Sequence, residues 1–200
     1  MDWTDAIAHL QKADPRLAPL IEKHGHPTIT AGRDPVLSLA KAIVSQQLST
    51  KAADTIFGRF LDLYPKRKFP TVAEILATPD AELRAAGLSG AKGAAIKDLA
   101  RHVSEKRFVP KKLPTLTDAE VSAALLPIRG IGPWSVDMFM MFSLARPDVL
   151  PVGDLGIRKG MQKHFKLRSL PEAAKMTKLA APWAPFRTIA SWYMWRLLET

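Results

Sequence analysis

The sequence predicts an all-α fold, on three observations. Polar caps repeatedly precede apolar residues at helical spacing, as where Asp34-Pro35 leads into Val36, Leu39, Ile43 and Val44. No stretch keeps the period-two alternation of a half-buried strand, and no internal repeat is present. With 200 residues, 47% of them hydrophobic, the chain can bury a sizeable core as one large or two small domains.

Taken in order, Thr4 stands as a cap before an apolar run to Leu10, and Asp14-Pro15 opens a helix that stops near Gly25. His24-Gly25-His26-Pro27 is a loop. Two histidines on a Gly/Pro turn without nearby carboxylates read as surface residues, and no metal site is predicted. The polar run Ser45-Gln46-Gln47-Leu48-Ser49-Thr50 then interrupts the helical pattern, with Ser49 placed to cap a helix from Lys51 to Leu63. The paired glutamines allow two readings, an inter-helix loop, which the residues alone favour, or a probe that enters a duplex beside an extruded base. Short helices follow at Val72 to Ala77 and Pro79 to Ala86, the second with Thr78 as N-cap and Gly87 as its stop. Leu88-Ser89-Gly90-Ala91-Lys92-Gly93 turns into a long helix to about Lys106, and fits either a backbone-phosphate contact or an ordinary helix start. Phe108 to Pro114 is a basic linker. Beyond Asp154, helices from Leu155 to Phe165 and Pro171 to Leu179 lead to the rigid corner Pro182-Trp183-Ala184-Pro185. A last helix, Phe186 to Glu199, carries Trp192, Tyr193 and Trp195.

Charge and composition bound the chemistry. A net charge of +10 favours a polyanionic partner, and it is concentrated: residues 91–112 hold seven Lys/Arg against two acids, residues 158–187 eight against one. These blocks can be solvated helix faces, or can form a positive surface with salt-sensitive binding. The absence of cysteine excludes disulfides, thiolate zinc sites and Cys-ligated iron–sulfur clusters. No apolar run approaches the roughly 20 residues that cross a bilayer. Met1-Asp2-Trp3-Thr4-Asp5 lacks the basic start of a signal peptide, so a cytoplasmic, nucleoid-associated location is expected.

The chain is organised around Leu125 to Asp154. Thr117-Asp118-Ala119-Glu120 is a capping box that opens a helix to about Leu126. Gly130 and Gly132 bracket one apolar residue, which suits a tight turn whose N–H groups approach an anion. Pro133 fits the first position of a further helix, Trp134 to Ala145, whose positive end adds to a phosphate site. Asp154 lies in Pro151-Val152-Gly153-Asp154-Leu155-Gly156, at the head of a helix. There it serves as an N-cap, and an ionised carboxylate so placed can also stabilise positive charge on a sugar carbon or orient water. The competing acids are Asp148, in a loop beside Arg146, and Asp137, one turn into a helix on what reads as a solvent face.

Leu126-Pro127-Ile128-Arg129-Gly130-Ile131-Gly132-Pro133-Trp134-Ser135, with Asp154 twenty positions after Trp134, resembles the helix-hairpin-helix DNA glycosylase superfamily. Ile43 to Ser49, Gly87 to Lys92 and Trp183-Ala184-Pro185-Phe186-Arg187-Thr188 through Trp195 narrow the likeness to the 3-methyladenine DNA glycosylase II class, over about three quarters of the chain. The resemblance implies two helical subdomains with an active-site cleft between them. One is residues 1–35 with 155–200; the other is residues 36–154, containing the helix-hairpin-helix motif at 117–145. It implies Asp154 as the catalytic aspartate, and Gly130, Ile131, Gly132, Pro133 and Ser135 as the hairpin that holds a DNA phosphate. No cofactor is required, although some members hold a monovalent cation on hairpin carbonyls. Trp134 and Trp195, with Met138 and Trp192, would wall the base pocket. Gln47 and Leu48 would fill the gap left by a flipped nucleotide, and Lys92 would contact the DNA backbone.

The implied activity is monofunctional, because bifunctional relatives carry a Schiff-base lysine at the position of Trp134, and tryptophan has no amine. Met138 stands where the class can have tyrosine. The implied reaction is flipping and hydrolytic excision of alkylated purines, of the 3-methyladenine and 7-methylguanine type, from duplex DNA in base excision repair. The partner is double-stranded DNA containing damaged bases, met by a monomer away from any membrane. An N-alkylated purine is already cationic and leaves easily, so aromatic faces and one carboxylate are sufficient equipment. Two other readings stay open, a glycosylase for deaminated or oxidised bases and a non-catalytic module that binds damaged DNA through the hairpin.

Overall fold

In the computed structural model, which describes residues 2–32 and 34–199, all regular structure is helical and no strand forms among those residues. The helices are α1 (Thr4–Ala13), α2 (Ala18–His24), α3 (Pro35–Ser45), α4 (Thr50–Asp62), α5 (Val72–Ala77), α6 (Asp80–Ala85), α7 (Gly90–Ser104), α8 (Asp118–Leu125), α9 (Pro133–Phe142), α10 (Leu155–His164), α11 (Ala173–Leu179) and α12 (Arg187–Arg196). Their starts are set by side-chain acceptors on otherwise orphaned amides. Asp34 Oδ1 accepts from Val36 and Leu37 N–H, Ser49 Oγ from Ala52 and Ser89 Oγ from Lys92. Thr117 and Glu120 complete the capping box of α8 in both directions.

Two caps differ from the sequence expectation. Thr4 is the first residue of α1 rather than its cap, because the Asp2 carboxylate accepts from both the Thr4 N–H and its hydroxyl. Thr78 does not cap α6. Its hydroxyl donates back to the Glu74 carbonyl at 2.8 Å and lies 2.7 Å from the buried Tyr64 hydroxyl, leaving Pro79 at the helix start.

The chain divides into two units, Met1–Ala31 with Met140–Thr200, and Gly32–Phe139. Residues 140–154 therefore belong with the terminal segments and residues 32–35 with the central one, a correction to the boundaries that the sequence suggested. The physical reason is a set of bonds to the start of α12. Thr188 N–H donates to Pro147 O, the Thr188 hydroxyl donates to Arg146 O and accepts from Val149 N–H, and Arg187 grips Asp148 with two nitrogens at 2.7 and 2.8 Å.

In the central unit, α3, α5 and α6 pack on α7, with Leu39, Ile43, Ile75, Leu83, Ile96 and Leu99 almost completely buried. In the terminal unit, α10 lies on α12, and the core is Leu10, Leu17, Met161, Met176, Trp183, Ile189, Tyr193 and Met194. Beneath it sits one buried acid. Asp14 accepts from Arg16 Nε at 2.7 Å, His164 Nε2 at 2.7 Å and Trp183 Nε1 at 3.0 Å. Burial by itself would raise its pKa, but these donors outweigh burial and hold the carboxyl at about 2. Burial conversely lowers the pKa of His164, against the pull of Asp14.

A carboxyl depressed in the fold contributes stability above its unfolded pKa and loses it as pH falls through the folded value. Thermal unfolding followed by circular dichroism should therefore show a stability loss between about pH 4 and pH 2 that is smaller in Asp14→Asn. At pH 7 the Asp14→Ala variant should be destabilised by roughly 1–3 kcal/mol, the cost of leaving the buried N–H donors of His164 and Trp183 without an acceptor. Equal acid sensitivity of wild type and Asp14→Asn would remove this cluster as the cause.

Candidate active site

In the central unit, α8 ends at Leu125 and the turn closes through Ile128 N–H to Leu125 O and Ile131 N–H to Ile128 O. Gly130 takes φ +79°, and a Cβ there would stand 3.3 Å from that of Ala95. Gly132 needs neither a special φ nor internal space, since a Cβ built on it meets no protein atom within 4 Å. The bareness of that position faces outward, which suits the approach of a ligand to the backbone. Among the described residues, the amides of Gly132 and Ser135 donate to no protein acceptor, and both lie at the positive end of the ten-residue helix α9. Asp98 Oδ2 accepts the Arg129 N–H at 2.8 Å and anchors the turn to α7.

The loop after α3 is braced against that hairpin. Gln46 Nε2 donates to Gly130 O at 2.7 Å, while Lys92 Nζ donates to Val44 O at 2.7 Å and to Gln46 O at 2.8 Å. Gln47 is thereby held at φ 57°, a left-handed conformation that costs a non-glycine residue about 1–2 kcal/mol, and Leu48 beside it is exposed. The loop thus presents a strained, exposed pair on a braced base.

Lys92, expected on the DNA backbone, is instead spent inside the protein. Two carbonyls take two of its three N–H bonds, and burial lowers its pKa. The braced loop, Lys92, Trp134, Ser135 and Met138 border a cavity of about 670 Å³. Trp134, one of the lining residues, is 46% exposed. Asp137 is not on a solvent face as the sequence suggested: it is half-buried, and burial pushes its carboxyl up to about 6.

In the terminal unit, Asp154 is the N-cap of α10, and its Oδ1 accepts the Ile157 N–H at 2.8 Å. The same oxygen accepts the indole N–H of Trp195 at 2.9 Å. The Trp195 ring is stacked with the exposed Phe142, centroids 5.9 Å apart at 28°. An acid and an aromatic wall thus share one hydrogen-bonded unit. Trp192, expected in the base pocket, is instead a core residue. It is 9% exposed, packed on Tyr193, and covered by the Arg196 guanidinium 4.7 Å from its ring centre. Being three residues from Trp195 on a helix did not put both rings in one slot, because α12 is buried almost all round. Asp148 is removed from contention by its two-pronged bond to Arg187, which also lowers its pKa against the effect of burial.

Sequence reasoning missed Phe142, Gln46 as a brace and Gly156 at the second position of α10. Only the last left a trace, the Gly156/Gly160 spacing of four that lets helices approach closely.

These features meet a known pattern. Residues 40–185 match the model of the HhH-GPD superfamily base excision DNA repair proteins, and the chain belongs to that family. Among its relatives, DNA-3-methyladenine glycosylase 1 of Schizosaccharomyces pombe is 35% identical over 198 residues, which cover 96% of this chain and 86% of that protein. The structure of the 3-methyladenine DNA glycosylase of that yeast in complex with abasic DNA superimposes with a TM-score of 0.86 at 34% identity, over 98% of this chain and 97% of that one. A DNA-3-methyladenine glycosidase from Bacillus halodurans gives a TM-score of 0.87 at 34% identity, over 98% of this chain and 89% of that one.

If Lys92 is a brace, Lys92→Met should leave the helices intact, lower stability by about 2 kcal/mol, and speed amide hydrogen exchange at residues 45–49. Unchanged exchange in that loop would show that its conformation does not depend on the amine.

Proposed function

We propose that this protein is a monofunctional DNA glycosylase that removes alkylated purines of the 3-methyladenine and 7-methylguanine type from duplex DNA. The observation that carries the reading is the Asp154–Trp195 hydrogen bond, which puts a carboxylate and an aromatic face on one rigid support. The names of its relatives point the same way.

In this reading the hairpin amides hold a backbone phosphate, and Gln47 and Leu48 occupy the space of the nucleotide that leaves the stack. Extrusion costs a few kcal/mol, least for damaged or mispaired bases. Tryptophan faces attract the cationic purine. The C1′–N bond then breaks with its electron pair going to the base, which becomes neutral as it leaves. Positive charge appears on the sugar, where the Asp154 carboxylate stabilises it. Water adds at C1′ and loses a proton, leaving an abasic site and the free base. Trp134 supplies no amine and Lys92 is committed to carbonyls, so strand cleavage through a Schiff base has no nucleophile at those positions. A monovalent cation at hairpin carbonyls once DNA is bound is the one cofactor the proposal admits. The enzyme would act as a monomer in the cytoplasm, on nucleoid DNA. Among the described residues no helix is long and apolar enough to cross a membrane.

The test is incubation of duplexes carrying 7-methylguanine or 3-methyladenine, followed by alkaline cleavage at abasic sites. Wild type should release product, and Asp154→Asn should be slower by about 10²-fold or more while binding an abasic duplex within a few-fold of wild type. Background product from both proteins, with binding retained, would leave only a damage-binding module. Hypoxanthine and 8-oxoguanine duplexes run beside these separate the other lesion classes.

A further inference from the structure

Gly156 takes no part in the chemistry described above. It lies in the first turn of α10 with ordinary helical φ, where glycine weakens a helix relative to alanine. Its presence is explained by the space it leaves. A Cβ at this position would stand 2.8 Å from both Cδ1 and Nε1 of Trp195 and 3.0 Å from Oδ1 of Asp154. Nε1 and Oδ1 are the two atoms of the acid–indole hydrogen bond.

Separations that short force a displacement, and the surroundings decide what moves. The two helix backbones are in close contact, since a Cβ on Gly160, one turn along, would lie 2.4 Å from the carbonyl oxygen of Met194, the residue before Trp195, and parting them would open the buried core around Met161 and Met194. Ile157 N–H fixes the carboxylate from the other side. The indole is therefore the group that yields. Its displacement breaks the bond to Asp154 and disturbs the stack on Phe142.

Resting on the glycosylase reading, we infer that Gly156 is a positioning residue, whose missing side chain lets Trp195 reach Asp154 and so sets both the carboxylate and the wall of the base site. It touches no substrate and acts chiefly through Trp195, whose indole atoms are the nearest that a Cβ would meet.

The experiment uses the full chain and the variants Gly156→Ala, Trp195→Ala and the double variant. In proton–nitrogen spectra, the indole resonance of Trp195 is identified among the five tryptophans by its loss in Trp195→Ala. Gly156→Ala should move that resonance away from its hydrogen-bonded position and leave those of tryptophans remote from α10 in place. Single-turnover excision of 7-methylguanine should fall roughly 10- to 100-fold in Gly156→Ala, as expected for a displacement near 1 Å at a reacting centre, with affinity for abasic duplex changed less than about threefold. In the Trp195→Ala background the same substitution should cost less than about twofold in rate and should not lower the melting temperature further. An unmoved Trp195 indole resonance, or an equal loss in both backgrounds, would overturn the inference. Should Gly156→Ala fail to fold, folding of the double variant keeps the coupling to Trp195 measurable, and a misfolded double variant would refute it. A wild type that excises nothing while Gly156→Ala still shifts the indole would count against the glycosylase reading and not against the positioning role.

Discussion

One oxygen accepts two hydrogen bonds around which the candidate site of the terminal unit is arranged. Asp154 Oδ1 accepts the Ile157 amide and the Trp195 indole, so the acid is fixed by the head of α10 and by the side of α12 together. A carboxylate held by two donors of fixed direction cannot swing to follow a substrate. Such rigidity suits electrostatic stabilisation of a charge that appears at one place, because the dipoles need no reorganisation when the bond breaks. It suits substrates whose leaving group is already cationic better than those that need a proton delivered. The closeness of α10 and α12 at Gly156 and Gly160 is what brings the indole within reach.

The central unit supplies a second, independent rigidity. Gln46 ties the loop after α3 to the hairpin carbonyl of Gly130, and Lys92 ties two further carbonyls of that segment to α7. The exposed Leu48 and the strained Gln47 are therefore tied to the Gly130–Gly132 turn by direct bonds of their own loop. In the proposed reading, grip on the backbone and pressure on the base stack would be linked through these bonds, so that binding energy gained at a phosphate helps to hold a nucleotide out of the helix.

Much of this was legible in the sequence. Caps such as Asp34, Ser49 and Thr117 act through local bonds, so residue type and spacing located the helices they begin. The hairpin glycines and the acid at a helix head were legible for the same reason. What escaped depended on contacts distant in sequence. Trp192 and Trp195 are chemically alike and one turn apart, yet burial of α12 sends one into the core and the other to the acid. Lys92 reads as a surface cation until the carbonyls of Val44 and Gln46 are seen beside it. Residues 140–154 follow the hairpin without a break in sequence pattern, and only their bonds to Thr188 and Arg187 assign them to the terminal unit.

The proposed role of the Asp154 carboxylate is to stabilise positive charge on a sugar whose base has departed. It is tested most directly by comparing affinities for two duplexes that differ in one ring, a cationic pyrrolidine or a neutral tetrahydrofuran at the lesion position. Wild type should bind the cationic ring at least about tenfold more tightly, a preference for a transition-state-like charge that Asp154→Asn should lose. Equal affinity of wild type for the two rings, or a preference that survives in Asp154→Asn, would contradict the account.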